Sequence, residues 1–394
     1  MHTQPAQQKT KFLSFLMKKI IFISTILLFM ICCKSTSDVV ERFLEDSVEV
    51  VHNRIKPYSL EGEPENYSLE EQFAIDLENN AVSSAGLYKM DSFGVDFEGN
   101  VYIVNQEETK DHIFKFRNRG QFESSFGRHG QGPGELMRPP LLTVTGKDEV
   151  IVCDILNAKI VQYREDGSLV REIPTKSNIM AFPLKNGNYM VMGRLRPDLT
   201  AKFLIYPMEL CDGDFNFLKL LEEFKLENVR VTQRLRGTPL GFGFSITQNR
   251  IFTGNEERNY EIWEFDLEGN LTRKIRKDYK HIPIPDEFKK ERLNRLNKSL
   301  REIAYFADEF PPFQALFSDE AGYLFVLTFE KDESGKGYLI DIFNPSGAFV
   351  GRLSADILVN ENAPVSAIIR HGLLYYIQEK ENGYRRFVAE KIIH

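Results

Sequence analysis

From about residue 93 onward the chain alternates short apolar runs of period 2 with polar turns that place Gly beside Asn, Asp or Glu. Such runs, rich in β-branched and aromatic residues, predict half-buried strands, and Gly with Asn or Asp supplies the positive φ of tight hairpins. One module recurs: strand, turn, strand, polar loop, strand, turn, strand. Its first copy reads Phe93-Gly94-Val95-Asp96, a turn at Glu98-Gly99-Asn100, strands over 101–104 and 113–116, a turn at Asn118-Arg119-Gly120 and a strand over 122–126. A second copy covers 142–173, with turns at Gly146-Lys147-Asp148 and Glu165-Asp166-Gly167. The third begins at Ile179, turns at Lys185-Asn186-Gly187-Asn188 and runs to about Phe224; the fourth covers 244–275 and the fifth 314–353. The sixth, 365–392, has only three strands.

A four-stranded unit of this kind cannot bury both faces alone, and stacking the units around an axis buries them against one another. The pattern therefore predicts an all-β fold, a six-bladed β-propeller of four-stranded blades. An orphan strand over 67–77 would complete the last blade and remove the open edge of the ring. Seven blades is the alternative, if the weakly patterned stretch within 200–240 holds another one. One helical insertion is expected at about 285–310. There Leu293, Leu296, Leu300 and Ile303 fall on one helical face, Pro283 and Pro285 precede it, and Pro311-Pro312 stop it. It reads either as a helix packed on the rim or as a lid or partner contact at the channel mouth.

The start carries different chemistry. Met17-Lys18-Lys19 precedes an apolar run over 20–31, which ends at Cys32-Cys33-Lys34-Ser35. A short basic region, a dozen apolar residues and a cysteine boundary predict a signal peptide over 1–33 with a lipobox, translation starting at Met17. Cys33 is the expected lipidation site and Cys32 the alternative. Residues 34–65 read as a tether, with a short helix over 38–52, and 66–394 as the propeller. Export permits a disulfide between Cys153 and Cys211, while the apolar run around Cys153 equally suits free buried thiols. The formal net charge of −7, with both signs mixed along the chain, argues against a nucleic-acid partner. A monomer is expected.

Phe126-Gly127-Arg128-His129-Gly130-Gln131-Gly132-Pro133-Gly134-Glu135-Leu136 with Pro139, followed by Ile151-Val152-Cys153-Asp154, Asn157-Ala158-Lys159-Ile160 and Asp166-Gly167, resembles the NHL repeat. It is also similar to the six-bladed propeller lipoproteins of Gram-negative envelopes. The resemblance implies an exported module, lipid-anchored to the bacterial envelope, which binds a protein or polymer on a loop face. It assigns no catalytic residue. The alternative it leaves open is a hydrolase or lyase, lactonase-like or amidating-lyase-like, with Ca or Zn held in the axial channel by ligands from different blades. No cofactor is otherwise predicted. The seven His are scattered, and no HxH, HExxH or CxxC spacing occurs.

Gly127, Gly130, Gly132, Gly134 and Glu135 could cradle a phosphate on backbone N–H groups, but the loop lacks the Gly-Lys-Ser/Thr ending and the following helix of a P-loop. A crossover between blades that needs positive φ is the expected role. Arg128, His129 and Asp154 beside it, with Arg194, Arg196 and Arg234 further on, are the candidate ligand-binding residues. For Asp154 an Asx-turn role is the competing reading.

Overall fold

The computed structural model describes residues 39–107, 110–175, 179–193, 198–359 and 367–394. Six antiparallel sheets form the six blades of a β-propeller. Blade 1 runs from Ser92–Val95 at the axis to Phe122–Arg128 at the rim, and blade 2 from Leu141–Val144 to Leu169–Pro174. Blade 3 runs from Ile179–Pro183 to Phe217–Glu227, blade 4 from Phe242–Ile246 to Leu271–Lys277, and blade 5 from Ala315–Ser318 to Phe349–Ala355. In blade 6 the chain supplies Ala367–Arg370, Leu373–Glu379 and Arg385–Ile393, and Ser68–Asp76 pairs antiparallel with the last of these. The ring thus closes on the predicted N-terminal strand. No seventh blade occupies 200–240: Phe203–Cys211 and Phe217–Glu227 are the two long outer strands of blade 3, and a single helical turn, Val229–Thr232, follows them.

Local chemistry explains why the strands turn where they do. Asp96 Oδ1 accepts from the N–H of Glu98 and of Asn100 at 3.0 and 2.7 Å, and its Oδ2 accepts from Asn100 Nδ2 at 2.9 Å. Gly99 in that turn sits at φ +84°, where a Cβ is disfavoured. The same carboxylate-to-Asn clasp recurs at Asp212–Asn216 and Asp266–Asn270. These hairpin turns all lie on one face of the ring. Loops between second and third strands, and the crossovers between blades, lie on the other. The core fills the spaces between blades: one apolar cluster joins blades 2, 3 and 4, another joins blades 6 and 1, and a third joins blades 1 and 2.

Two expectations about the N-terminal part are corrected. Residues 39–52 are not helical, and 39–65 is not a free tether. Glu41–Glu45 and Val48–Asn53 form a hairpin whose second strand pairs parallel with Leu271–Lys277, extending blade 4 outward. Val50 and Val51 are fully buried there. The chain then crosses the rim of blade 5. Asn53 accepts from Phe349 N–H at 2.8 Å and donates to Gly347 O at 3.0 Å, and Tyr58 N–H donates to Phe349 O at 2.8 Å. Glu63 accepts from Asn344 Nδ2 and Tyr323 OH at 2.7 and 3.0 Å, after which Ser68–Asp76 enters blade 6. Residues 41–76 therefore form a belt across blades 4, 5 and 6.

Beneath that belt, blades 4 and 5 share a buried ionic node. Lys277 Nζ lies 3.2 Å from Asp341 Oδ2, with both side chains wholly excluded from solvent. Tyr260 OH donates to Asp341 Oδ2 at 2.7 Å, and Arg352 Nε donates to Oδ1 at 2.6 Å. Arg352 in turn holds Glu330 through two hydrogen bonds of 2.9 and 3.1 Å. Burial pulls the Lys277 ammonium below the usual lysine range, against the opposing pull of Asp341.

Cys153 and Cys211 are both buried and both free, so the disulfide alternative is not realised. Burial pushes the Cys153 thiol up to about 12 and that of Cys211 up to about 11. Since the thiolate is the reactive form, neither should react with a thiol reagent in the native protein at neutral pH. In protein produced without residues 1–33, titration with a chromogenic disulfide should count two thiols only after unfolding in guanidinium. Fast labelling before unfolding would contradict this burial.

Candidate functional site

The crossover face bears a cavity of about 1210 Å³, walled by blades 3, 4 and 5, by the edge of blade 6 at Glu379 and Arg385, and by the insertion before blade 5. The sequence builds it from three pieces. The long outer strands of blade 3 bring Phe203, Phe224 and Glu227 to it. The axial strands of blades 4 and 5 supply Phe242, Gly243 and Leu316 as floor. The insertion closes one side with Phe288, Arg292, Arg295 and Tyr305.

The insertion is not one helix. Asp286–Asn294 and Lys298–Glu302 are two short helices, with Asn297 capping the second by accepting from Leu300 N–H at 3.0 Å. Leu293, Leu296, Leu300 and Ile303 are half-buried. Two contacts pin the insertion down. Ala304–Tyr305 pairs parallel with Leu235–Arg236 from the crossover between blades 3 and 4. Phe310 stacks on Phe329 of blade 5 at 4.5 Å between centroids and meets Phe288 edge-on at 5.1 Å.

The cavity wall carries both charge signs. Lys225, Arg236, Arg292, Arg295, Lys331 and Arg385 are offset by as many carboxylates, among them Glu227, Glu256 and Asp356. Many are already paired. Arg236 clasps Glu256 through both guanidinium nitrogens, and Lys225 lies 3.8 Å from Glu257. The wall therefore has no single-sign field to steer a small ion. It offers aromatic faces ringed by charges fixed in opposite pairs, which suits an extended ligand held by stacking and by hydrogen bonds.

The residues singled out from sequence do not converge there. Arg234 is the nearest: it stacks on Tyr305 at 4.2 Å and lies 3.6 Å from Glu227, both of which line the cavity. Arg194 and Arg196, like Cys32 and Cys33, lie outside the described residues. Arg128, His129 and Asp154 sit together at the crossover between blades 1 and 2. His129 Nδ1 is 3.2 Å from Nε2 of buried His112. Because His112 Nδ1 faces Asn105 O at 2.7 Å, Nδ1 is the donor there, and in the neutral imidazole Nε2 is left to accept from His129. Asp154 accepts from the N–H groups of Met137 and Arg138 at 2.8 and 3.2 Å and from Asn157 Nδ2 at 2.8 Å. Its carboxylate is fully engaged in holding the crossover.

The glycine-rich loop does converge N–H groups on anions, and the anions are the protein's own. Gly132 N–H donates to Glu135 at 2.9 Å, and Gly134 N–H donates to Glu172 at 2.9 Å. Lys159 bridges Glu172 and Gly132 O at 2.5 and 3.2 Å. Burial raises the Glu172 carboxyl, but Lys159 and the Gly134 N–H together hold it below the usual range. Among the described residues no three His, Cys, Asp or Glu side chains group as a metal ligand set.

Comparisons agree with the architecture. Residues 94–225 match the family model DUF5128, described as a 6-bladed beta-propeller. A candidate exported protein of Bacteroides fragilis NCTC 9343 superposes with a TM-score of 0.52 at 12% identity, covering 88% of this chain and 100% of its own. A member of the DUF4221 family from Bacteroides vulgatus ATCC 8482 gives 0.52 at 12% identity, over 84% and 99%. At such identity the likeness is one of fold. No curated protein matches the sequence. Sequence reasoning did not single out the cavity residues Phe203 and Phe288. Their one legible signal was the insertion itself, whose position after blade 4 already put it on the crossover face.

Proposed function

We propose that this protein is an exported, lipid-anchored binding module whose ligand site is the cavity on the crossover face. The observation that carries the reading is the cavity's construction. It is larger than the roughly 300–1,000 Å³ typical of small-ligand pockets, its aromatic walls come from three separate blades and an inserted helix pair, and its charges are internally balanced. An extended peptide or glycan is the ligand class such a wall accommodates. The signal-like segment over 1–33, and the export suggested for the Bacteroides fragilis neighbour, support the exported location.

The test is a screen of peptide and glycan arrays with the native protein, repeated with Phe288→Ala/Arg295→Glu and with Arg128→Ala. The first variant changes the half-buried Phe288 and the exposed Arg295 of the insertion, and the second an exposed residue of the blade 1–2 crossover. Affinity should fall about tenfold or more in the insertion variant, the equivalent of about 1.4 kcal/mol of lost contact, and stay unchanged in Arg128→Ala. Binding that is lost in Arg128→Ala and kept in the insertion variant would move the site to the crossover loop.

A further inference from the structure

We propose that the outer rim of blade 4 is the surface this protein lays on a phospholipid bilayer, with Phe43 and Leu44 of the N-terminal hairpin in the headgroup boundary. The inference rests on the lipid attachment at Cys33 proposed above and says where the anchored molecule touches the membrane.

Its first support is the leash. Residues 34–40, seven in all, separate Cys33 from Glu41, where the hairpin begins. At full extension this spans about 28 Å, against about 110 Å for a tether ending at residue 65. A leash that short keeps the hairpin at a high effective concentration beside the lipid surface, so contacts too weak to recruit a free protein become populated.

The second support is what the hairpin shows to solvent. Its outer strand, Glu41–Glu45, is an open edge, and native edges are usually blunted by charges turned outward. Here the charges are tied into pairs, with Glu41 exposed beside His52. Arg42 donates to Glu49 at 2.7 Å and to Ser346 O at 2.8 Å across to blade 5. Glu45 takes two hydrogen bonds from Arg276, at 2.5 and 2.6 Å. Phe43 and Leu44 are left 37% and 72% exposed, while their neighbours Val50 and Val51 are buried. Single exposed apolar side chains are ordinary. Phe43 and Leu44 project to opposite sides of the edge strand, so a bilayer meeting that edge end-on, at the end of a seven-residue leash from an acyl chain, would touch both. Glu41 pairs with His52, and Asp278 N–H at the start of the insertion donates to Asn53 O at 2.8 Å. Glu41 thus marks the crossover-face end of the rim, while Phe43 and Leu44, level with Lys274 and Arg273 across Val50 and Glu49, place the contact at its middle and toward the hairpin-turn face.

Depth-dependent quenching tests this. Full-length acylated protein carrying Leu44→Cys, Phe43→Cys or, in blade 1 across the ring, Arg117→Cys is labelled with a polarity-sensitive fluorophore. Cys153 and Cys211 are buried and stay unlabelled. The protein is incorporated into phosphatidylcholine–phosphatidylglycerol vesicles containing brominated phosphatidylcholine. Quenching at positions 43 and 44 should exceed that at 117 several-fold. Equal quenching at all three in vesicle-bound protein overturns the rim contact and leaves the anchor standing. Failure of the unsubstituted protein to incorporate labelled palmitate removes the anchor, and the proposal with it.

Discussion

Asp341→Ala should lower the stability of the propeller by about 3–5 kcal/mol, the cost expected when one partner of a buried ion pair is removed. The substitution strands three groups at once. Lys277 loses its carboxylate in a site with no solvent access, Tyr260 OH loses its acceptor, and Arg352 keeps only Glu330. Lys277→Met should cost distinctly less, because Asp341 would still be held by Arg352 and Tyr260. Guanidinium denaturation of the two variants and the parent measures both. An Asp341→Ala cost inside the range of ordinary surface substitutions, within about 0.5 kcal/mol, would show that water reaches the node and that the blades are not joined there.

Gly127→Ala is the second large effect, at about 2–5 kcal/mol. Gly127 sits at φ +71°, where an L-residue pays about 1–2 kcal/mol. A Cβ there would also lie 2.8 Å from Leu136 Cδ1 and 3.2 Å from Ile113 Cδ1, both in the filled space between blades 1 and 2, and overpacking of that kind costs about 1–3 kcal/mol. Gly187→Ala is the control. It has φ +86° but nothing within 4 Å of its added methyl, so it carries the backbone penalty alone. Denaturation midpoints should separate the two variants clearly. Equal midpoints would mean that Leu136 yields, and that the loop is not the rigid crossover described above.

The blades were legible because their signals are local. A clasp such as Asp266 to Asn270, the glycine at its φ +76° position and the alternating strands on either side are contained within a dozen residues. The N-terminal hairpin was not legible, for two reasons. Its turn uses Asp46 and Ser47 at φ 50° and 68° without the glycine that marks such turns elsewhere. Its stabilising ladder, Glu49 opposite Arg273 through Asn53 opposite Lys277, lies more than two hundred residues away. Taken alone, Val39, Val40, Phe43, Leu44 and Val48 fit helical spacing as well as a strand. Blade 3 was faint because its two outer strands slip register between Met208 and Glu209 and again between Leu210 and Cys211, which breaks the period-2 pattern. Of the candidate site, the insertion could be seen and its break at Arg295-Leu296 could not. The cavity walls come from blades that only the closed ring brings together.

The belt over 41–76 also decides how the molecule carries mechanical load. A pull on the chain from the N-terminal side reaches the hairpin on blade 4 first. Its inner strand runs parallel to Leu271–Lys277, so a force along the strand loads the whole ladder in shear, with its hydrogen bonds sharing the strain. The strand that closes the ring, Ser68–Asp76, lies beyond the anchor points at Asn53, Tyr58 and Glu63. Load applied from the N-terminal side would thus be borne by blade 4 before the seam of the propeller felt it. Drawn from its C-terminal end instead, the same protein would have to strip Arg385–Ile393 from two neighbours at once, Leu373–Glu379 and Ser68–Asp76.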